Sequence, residues 1–305
     1  MNDFTTASTH FSGHFGQRFF FWGGQLVWCT LLALCFWVNP CSGADDAGQI
    51  KADGVGAGIA EVRETHPMET LLEFAKARRD YIRENVSDYT CWLVKRERLG
   101  GKLQPYQYAR LSVRCERTDA AGTTTPLAVF MRYSRPAEIR DRRVLYVSDR
   151  VNGDVLVRKG GLLLSDVKIS LDPNSQAAKR ESNYPITEVG FDKIMERLVE
   201  LARQDIAVDP EGENTTVKYF ENAKVGDRVC TRIQIEHPVF NDEFKFHRAQ
   251  LFVDDQLRMP VRLVVHDWPE ERGWEPRLME EYTYLRLELN VGLSEADFSE
   301  SLLDD

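Results

Sequence analysis

The chain has 305 residues, of which 43% are hydrophobic and 29% charged, so it can bury a core and is not a disordered polymer. Its 39 basic and 48 acidic residues give a formal net charge of −9. This balance argues against nucleic-acid binding and against electrostatic docking on an anionic membrane, because both depend on an excess of basic side chains.

An uncharged apolar segment, residues 19–38, follows an N-terminal stretch with one acidic and one basic residue. Its densest part, residues 26–38, has the length of the apolar region of a secretory signal peptide. Ser42 and Ala44 are small residues at the −3 and −1 positions of a cleavage site before residue 45. We therefore expect a signal peptide over residues 1–44 and an exported protein of the periplasm or cell envelope.

Two alternatives remain open for this segment. Residues 19–38 are long enough to span a bilayer as an uncleaved anchor, which would be the chain's membrane contact. Cys41 could instead be a lipidated cysteine, although Pro40 stands where a lipidation motif has a small residue. The body of the protein is exported in each case.

Residues 45–63 are rich in Gly, Ala and Asp and are typical of a flexible linker. A helix is predicted next, with Thr65 as its N-cap and Pro67 in its first turn. Its apolar residues recur every three or four positions to about residue 86, which indicates one buried face.

After Asp88 the apolar period changes to two, and glycine turns separate short segments, which indicates antiparallel strands. A second amphipathic helix is predicted after Gly190, with its end between residues 205 and 212. The strands are predicted at 89–98, 106–116, 127–133, 143–148, 155–159, 162–165, 217–220, 227–237, 244–253, 260–267 and 277–289.

About ten strands and two helices predict an α+β, mainly β fold. An antiparallel sheet of this size must curl or close, and two helices are too few to cover it flat. We therefore expect a curled antiparallel sheet that forms an open half-barrel, with the two amphipathic helices as a lid. The predicted organisation is one half-barrel domain over residues 64–299 and an acidic tail over 300–305.

Motifs for enzyme chemistry are missing from the sequence: there is no nucleophile-elbow, P-loop, dinucleotide-binding or zinc-protease pattern. His247 and His266 could combine with Asp267 or Glu280 in a metal site, but their spacing favours ordinary surface or hydrogen-bonded histidines. We predict no catalytic residue, metal or cofactor. Three cysteines of the body, an odd number, could form one disulfide or could be buried thiols: Cys91, Cys115 and Cys230.

An apolar cavity is the remaining candidate site, because two helices cannot fill the inner face of a half-barrel. Burial of a sixteen-carbon acyl chain would contribute on the order of 10 kcal/mol before ordering costs. The alternation of the strands predicts an inner face, although a slip of one residue would exchange the two faces. The predicted lining residues are Leu93, Val129, Met131, Ile233, Ile235, Leu251, Val253, Leu263 and Val265.

Three stretches resemble a known family. The first is Ser87-Asp88-Tyr89-Thr90-Cys91 before Lys95-Arg96-Glu97-Arg98, and the second is Leu171-Asp172-Pro173 before Tyr184-Pro185-Ile186-Thr187-Glu188-Val189-Gly190. The third is Val253-Asp254 with Met259-Pro260-Val261, before Glu281-Tyr282-Thr283-Tyr284, Asn290 and Ala296-Asp297-Phe298. Together they resemble the exported bacterial family catalogued as domain of unknown function 1571. The third stretch is also similar to the ending of periplasmic lipoprotein carriers of the LolA/LolB type. That resemblance implies an open barrel that holds acyl chains under a helical lid.

The sequence thus favours a non-enzymatic carrier or sensor of lipid acyl chains or of a lipoprotein. Two alternatives remain open. The first is a structural or protein-interaction module whose barrel interior is filled. The second is a hydrolase with a site assembled from distant acids and histidines, which predicts a polar cleft where carboxylates or histidines converge.

Overall fold

The computed structural model describes residues 65–162, 167–271 and 273–304. The predicted signal peptide and linker, residues 1–63, lie outside these ranges, as do residues 163–165 of one predicted strand. No helix within the described ranges is long and apolar enough to cross a membrane.

The described ranges contain two long α-helices and one short one. They are α1 (Pro67–Asn85), α2 (Gln176–Lys179) and α3 (Phe191–Val208). The expectation that Thr65 caps α1 is wrong, because His66 is the N-cap and its Nδ1 atom accepts a 3.1 Å hydrogen bond from the Met68 amide. Gly190 is the N-cap of α3, as the sequence predicts for the start of that helix.

The described ranges also contain fourteen strands, all of whose pairings are antiparallel. They are β1 (Asp88–Leu99), β2 (Lys102–Leu103), β3 (Gln107–Arg114), β4 (Arg117–Thr118), β5 (Thr124–Thr125), β6 (Ala128–Arg135), β7 (Arg143–Val147), β8 (Val155–Arg158), β9 (Lys168–Leu171), β10 (Thr216–Val225), β11 (Arg228–Glu236), β12 (Arg248–Asp254), β13 (Pro260–Asp267) and β14 (Arg277–Leu289).

Twelve of these strands form one sheet in the order β10-β11-β12-β13-β14-β1-β3-β6-β7-β8-β9, and β2 pairs with β1. The sheet does not close, because β10 and β9 stand at its two ends. The predicted α+β, mainly β half-barrel is therefore confirmed. The strand predicted from Phe244 begins only at Arg248, and β9 is an edge strand that the sequence analysis missed.

The two long helices pack on one face of the sheet, and the sequence pattern explains why. The apolar residues of α3 recur at helical spacing, so Met195, Leu198 and Ala202 share one buried face. At the N-terminal end of α3 the Phe191 ring lies 4.6 Å from the Tyr89 ring and 5.0 Å from the Tyr284 ring, measured between centroids. The helices and the inner side of the sheet thus contribute to one apolar core, which extends from β10–β14 to β1, β3 and β6.

The opposite face of the sheet is covered in part by the C-terminal segment. Short 3-10 helices at Glu295–Phe298 and Glu300–Leu303 bring Phe298 and Leu303 into a small second core. This core includes Ala128, Leu145 and Val147 of β6 and β7. The part of the chain predicted as an acidic tail therefore contains a buried anchor, Leu303.

One buried ionisable pair joins the C-terminal end of α3 to the loop after β11. The His237 Nε2 atom lies 3.2 Å from the Asp205 Oδ2 atom, and both side chains are almost fully buried. The His237 ring stacks on Phe244 at a centroid distance of 3.9 Å. Burial, followed by the charge of Asp209, raises the pKa of Asp205 to about 7, and burial lowers the pKa of His237 to about 4.

The raised pKa of Asp205 should make the fold less stable as the pH rises. In the unfolded chain this carboxyl ionises near pH 4, with an ordinary pKa of about 3.9, whereas in the folded protein its pKa is about 7. The unfolded state therefore loses its proton first and is favoured across that window. The lowered pKa of His237 acts in the opposite direction, because the unfolded imidazole binds a proton up to a pH of about 6.5. We therefore expect the slope of the unfolding free energy against pH, between pH of about 5 and about 7.5, to be more negative for the wild type than for Asp205→Asn, as measured by urea denaturation.

Asp242→Asn is the matched control, because Asp242 is exposed in the loop that carries His237. This variant should keep the wild-type dependence on pH. Equal slopes for the wild type and Asp205→Asn would contradict the assignment.

Candidate functional site

A cavity of about 370 Å³ lies between the inner face of the sheet and residues 172–190, which we name the cover segment. The cover segment runs from the end of β9 to the start of α3 and contains α2. Its other wall is built by β1, β3, β6, β7, β8 and β9, with contributions from β13 and β14. The cavity therefore occupies the half of the barrel that lies away from β10–β12.

The body of the cavity is apolar because alternate residues of each strand point inward. In the register of the sheet, Leu111 lies opposite Met131, Met131 opposite Val144, Val144 opposite Val157, and Val157 opposite Ile169. One side chain from each of five neighbouring strands thus forms a continuous apolar row. The other apolar lining residues are Leu93, Val155, Leu171, Pro173, Ala177, Ala178, Pro185, Ile186, Val189, Ile194 and Leu263.

Three of the nine residues predicted to line a cavity are in its wall: Leu93, Met131 and Leu263. The other six do not line it: Val129, Ile233, Ile235, Leu251, Val253 and Val265. All nine belong to one apolar core or pack against it. Five of the six lie on β11–β13, whereas Val129 lies on β6, two residues from the cavity-lining Met131.

Sequence reasoning missed most of the wall, namely β7–β9 and the cover segment. The signal for the strands was present, because Val144, Val155 and Val157 alternate with residues of the opposite face. The cover segment carries no such period. Its place over the cavity follows from contacts with strands that are distant in sequence.

A buried carboxylate, Glu97, joins the cover segment to the sheet beside the cavity. Its Oε2 atom accepts from the Lys95 ammonium at 2.7 Å, and its Oε1 atom accepts from the Tyr282 hydroxyl at 2.5 Å. The same Oε1 atom also accepts from the Ser182 hydroxyl at 2.9 Å and from the Asn183 amide at 3.0 Å. Two strands and the cover segment are thus bonded to one side chain that is 2% exposed.

A second buried carboxylate, Glu280, lies directly across from Glu97 in the register of β1 and β14. It accepts from the Tyr184 hydroxyl at 2.5 Å and from the Asn183 side-chain amide at 3.0 Å. Ser182, Asn183 and Tyr184 of the cover segment are therefore all bonded to these two acids. We name the two acids with Lys95, Tyr282 and these three residues the polar cluster.

The two carboxyl groups have pKa values shifted in opposite directions. Burial tends to raise the pKa of Glu97, but the Lys95 charge and the surrounding donors outweigh it and hold this pKa below its ordinary value. Burial raises the pKa of Glu280. One acid is therefore the anionic partner of Lys95, and the other is shifted toward its neutral form.

The Ser182 hydroxyl is bonded to both charged groups of the polar cluster. The Lys95 ammonium lies 3.1 Å from the Ser182 oxygen. Burial tends to lower the pKa of Lys95, but Tyr133 and Glu97 outweigh that effect and raise it. A protonated lysine cannot take the hydroxyl proton, which is donated to Glu97 instead.

Two ion pairs flank the cover segment where the cavity reaches the surface. Arg142 Nη1 donates to Glu181 Oε2 at 2.7 Å, and Arg197 of α3 pairs with Glu188. The Arg197 guanidinium carbon also lies 3.7 Å from the centre of the Tyr184 ring. These contacts connect the cover segment to the β6–β7 loop on one side and to α3 on the other.

Two of the residues considered as metal ligands, His247 and Glu280, have other partners. The His247 Nδ1 atom lies 2.9 Å from the His237 carbonyl oxygen, and Glu280 belongs to the polar cluster. In the described parts of the chain, no three His, Cys, Asp or Glu side chains are grouped so that they could hold a metal ion. Cys91, Cys115 and Cys230 are unpaired thiols.

The chain belongs to the family described as protein of unknown function DUF1571, whose family model matches residues 86–302. The family indicated by the sequence motifs is thus confirmed. No curated protein matches the chain.

The chain also has a low similarity to several solved structures. An outer membrane lipoprotein-sorting protein domain from Vibrio parahaemolyticus is 12% identical, with a TM-score of 0.37 over 78% of this chain and 100% of that one. A LolA superfamily protein from Nitrosomonas europaea is 10% identical, with a TM-score of 0.30 over 77% and 98%. The lipoprotein LppX from Mycobacterium tuberculosis is 11% identical, with a TM-score of 0.37 over 74% and 98%.

Removal of the Glu97 charge should destabilise the protein strongly. Glu97→Gln leaves the buried Lys95 ammonium without a counter-charge and weakens the bonds to Ser182 and Tyr282. Loss of one partner of a buried pair costs about 3–5 kcal/mol. We expect a loss of about 3 kcal/mol in the free energy of unfolding, measured by urea denaturation.

Glu288→Gln is the control, because Glu288 is exposed on the neighbouring strand β14. It should change the free energy of unfolding by less than about 0.5 kcal/mol. A Glu97→Gln protein as stable as this control would show that the polar cluster does not hold the cover segment.

Proposed function

We propose that this DUF1571 protein binds the apolar chain of a lipid or lipoprotein beneath the cover segment. In this proposal it acts as a non-enzymatic carrier or sensor in the bacterial envelope. The observation that carries the proposal is the apolar cavity of about 370 Å³ in the half of the barrel that the helices leave open.

A cavity of this size favours a ligand over a purely structural role. Protein interiors pack densely, with few voids larger than a water molecule. The cavity falls within the range of roughly 300–1,000 Å³ that is usual for small-molecule sites. The alternative of a module with a filled interior fits β10–β14, where the core is packed, but does not account for the hollow under the cover segment.

Burial of methylene groups can supply the binding energy without any reacting residue. Each buried methylene contributes about 0.8 kcal/mol, so ten of them would contribute about 8 kcal/mol before the ordering cost of association. The continuous apolar row from Leu111 to Ile169 gives a chain-shaped ligand an extended contact surface. A straight acyl chain therefore suits the cavity better than a compact polar molecule.

The hydrolase alternative finds less support in the geometry of the polar cluster. Glu97 and Glu280 are not among the lining residues. Glu97 accepts four hydrogen bonds, and both oxygens of Glu280 accept from the cover segment. Export to the envelope remains part of the proposal on the strength of residues 1–44, either as a cleaved signal peptide or as an anchor formed by residues 19–38.

A bulky side chain inside the cavity should abolish ligand uptake. Ile169 and Ser170 are neighbours on β9, and Ile169 lines the cavity whereas Ser170 is exposed. Ile169→Trp should fill space that the ligand needs and weaken binding of cis-parinaric acid, a fluorescent fatty acid, by tenfold or more. Fluorescence titration of the purified protein measures this affinity.

Ser170→Trp is the matched control, with the same substitution one residue away on the solvent side. It should bind cis-parinaric acid like the wild type. Urea denaturation of both variants separates loss of the cavity from loss of the fold. Equal binding by a folded Ile169→Trp protein would contradict the proposed site.

A further inference from the structure

The cavity wall has a charge balance opposite to that of the whole chain. The protein carries a formal net charge of −9. The ionisable side chains that line the cavity, apart from its tyrosines, are four bases and two acids: Lys95, Arg142, Lys159, Arg197, Glu181 and Glu188. Both acids are already paired with lining arginines. Lys95 is paired with Glu97, which does not line the cavity. An anion at the surface end of the cavity would therefore meet an excess of positive charge in the cavity wall.

Two of these bases are brought together by a pair of glycines. Arg143 of β7 lies opposite Arg158 of β8, so Arg142 and Lys159 are the next residues at the same end of the two strands. A Cβ atom at Gly160 would lie 2.2 Å from the Arg140 carbonyl oxygen, which only glycine permits. The loop after β8 can therefore lie against the loop before β7, with Arg142 and Lys159 on one rim of the cavity.

These rim bases have unused hydrogen-bonding capacity. Arg142 donates to Glu181 through Nη1, but its buried Nε atom has no hydrogen-bond partner among the described residues. The half-buried Lys159 forms no ion pair with any residue that the structure describes. A buried donor without a partner is costly, so an acceptor supplied by a ligand would relieve it.

Three further polar side chains line the cavity on the neighbouring strands. Gln107, Lys95 and Tyr282 are direct neighbours in the register of β3, β1 and β14, and all three line the cavity. Lys95 uses two of its three N–H donors, on Glu97 and Ser182. The cavity is therefore amphipathic, with a cationic, donor-rich end near the surface and an apolar body below it.

From this arrangement we infer that the ligand is a single-chain amphiphile with an anionic head group, a carboxylate or a phosphate. The head group binds Lys159 and Arg142 at the rim, and the chain extends along the apolar row. This inference rests on the proposed function and narrows it, because a neutral acyl chain would make no use of the rim. Carboxylate and phosphate share the chemistry that these bases recognise.

Three probes with the same chain test the head group: hexadecanol, hexadecanoate and hexadecyl phosphate. Isothermal titration calorimetry with the full chain should show that at least one of the two anions binds about tenfold or more tightly than the alcohol. The tighter anion identifies the carboxylate or the phosphate as the preferred head group. Inorganic phosphate alone should show no measurable binding, because the chain supplies most of the binding energy.

A charge reversal at the rim gives the decisive comparison. Lys159→Glu should remove the preference for the anions and leave the affinity for hexadecanol unchanged. Lys102→Glu changes the net charge of the protein equally at an exposed residue outside the cavity wall, so it should keep the preference.

The outcomes separate this inference from the proposed function. Equal affinities of the wild type for all three probes would overturn the anionic head group and leave the carrier function standing. If Lys102→Glu also lost the preference for the anionic probes over hexadecanol, the preference would arise from the net charge of the protein. This result would also overturn the inference. Failure of all three probes to bind would overturn the proposed function itself.

Discussion

The buried Glu97 carboxylate is the contact on which the candidate site depends. It accepts hydrogen bonds from β1, from β14 and from the cover segment, so one charged side chain fixes the distance between the sheet and the segment above it. A buried ion pair contributes little net stability compared with apolar packing, but it specifies geometry because unpaired alternatives are so costly. The cover segment therefore has one well-defined position and does not collapse onto the apolar strands.

This constraint explains why one sheet supports both a packed core and a hollow. Over β10–β14 the helices bring apolar side chains such as Met195 and Ala202 into direct contact with the strands. Over β6–β9 the cover segment is held by polar and charged contacts at Glu97, Arg142 and Arg197, and the apolar side chains beneath it face open space. The space below the helices is filled because their contacts with the sheet are apolar, whereas the cover segment is held by polar contacts and leaves a cavity.

Much of the fold could be predicted from the sequence, because strand alternation and helical spacing are local properties. Leu93, Met131 and Leu263 were placed on the inner face by alternation alone, and the cavity includes them. Whether an inner residue meets a helix or a hollow depends on distant segments, so the same alternation could not show that Ile233 and Leu251 lie outside the wall of this cavity. The polar cluster was missed because the bonds from the cover segment to Glu97 link residues 85 or more positions apart.

Native mass spectrometry of the full chain, purified gently from the envelope fraction of cells that export it, tests the central claim most directly. The account predicts a complex heavier than the polypeptide, from which organic solvent extracts a single-chain amphiphile. Repeated recovery of the bare polypeptide from that fraction would contradict the claim that the space under the cover segment holds a ligand.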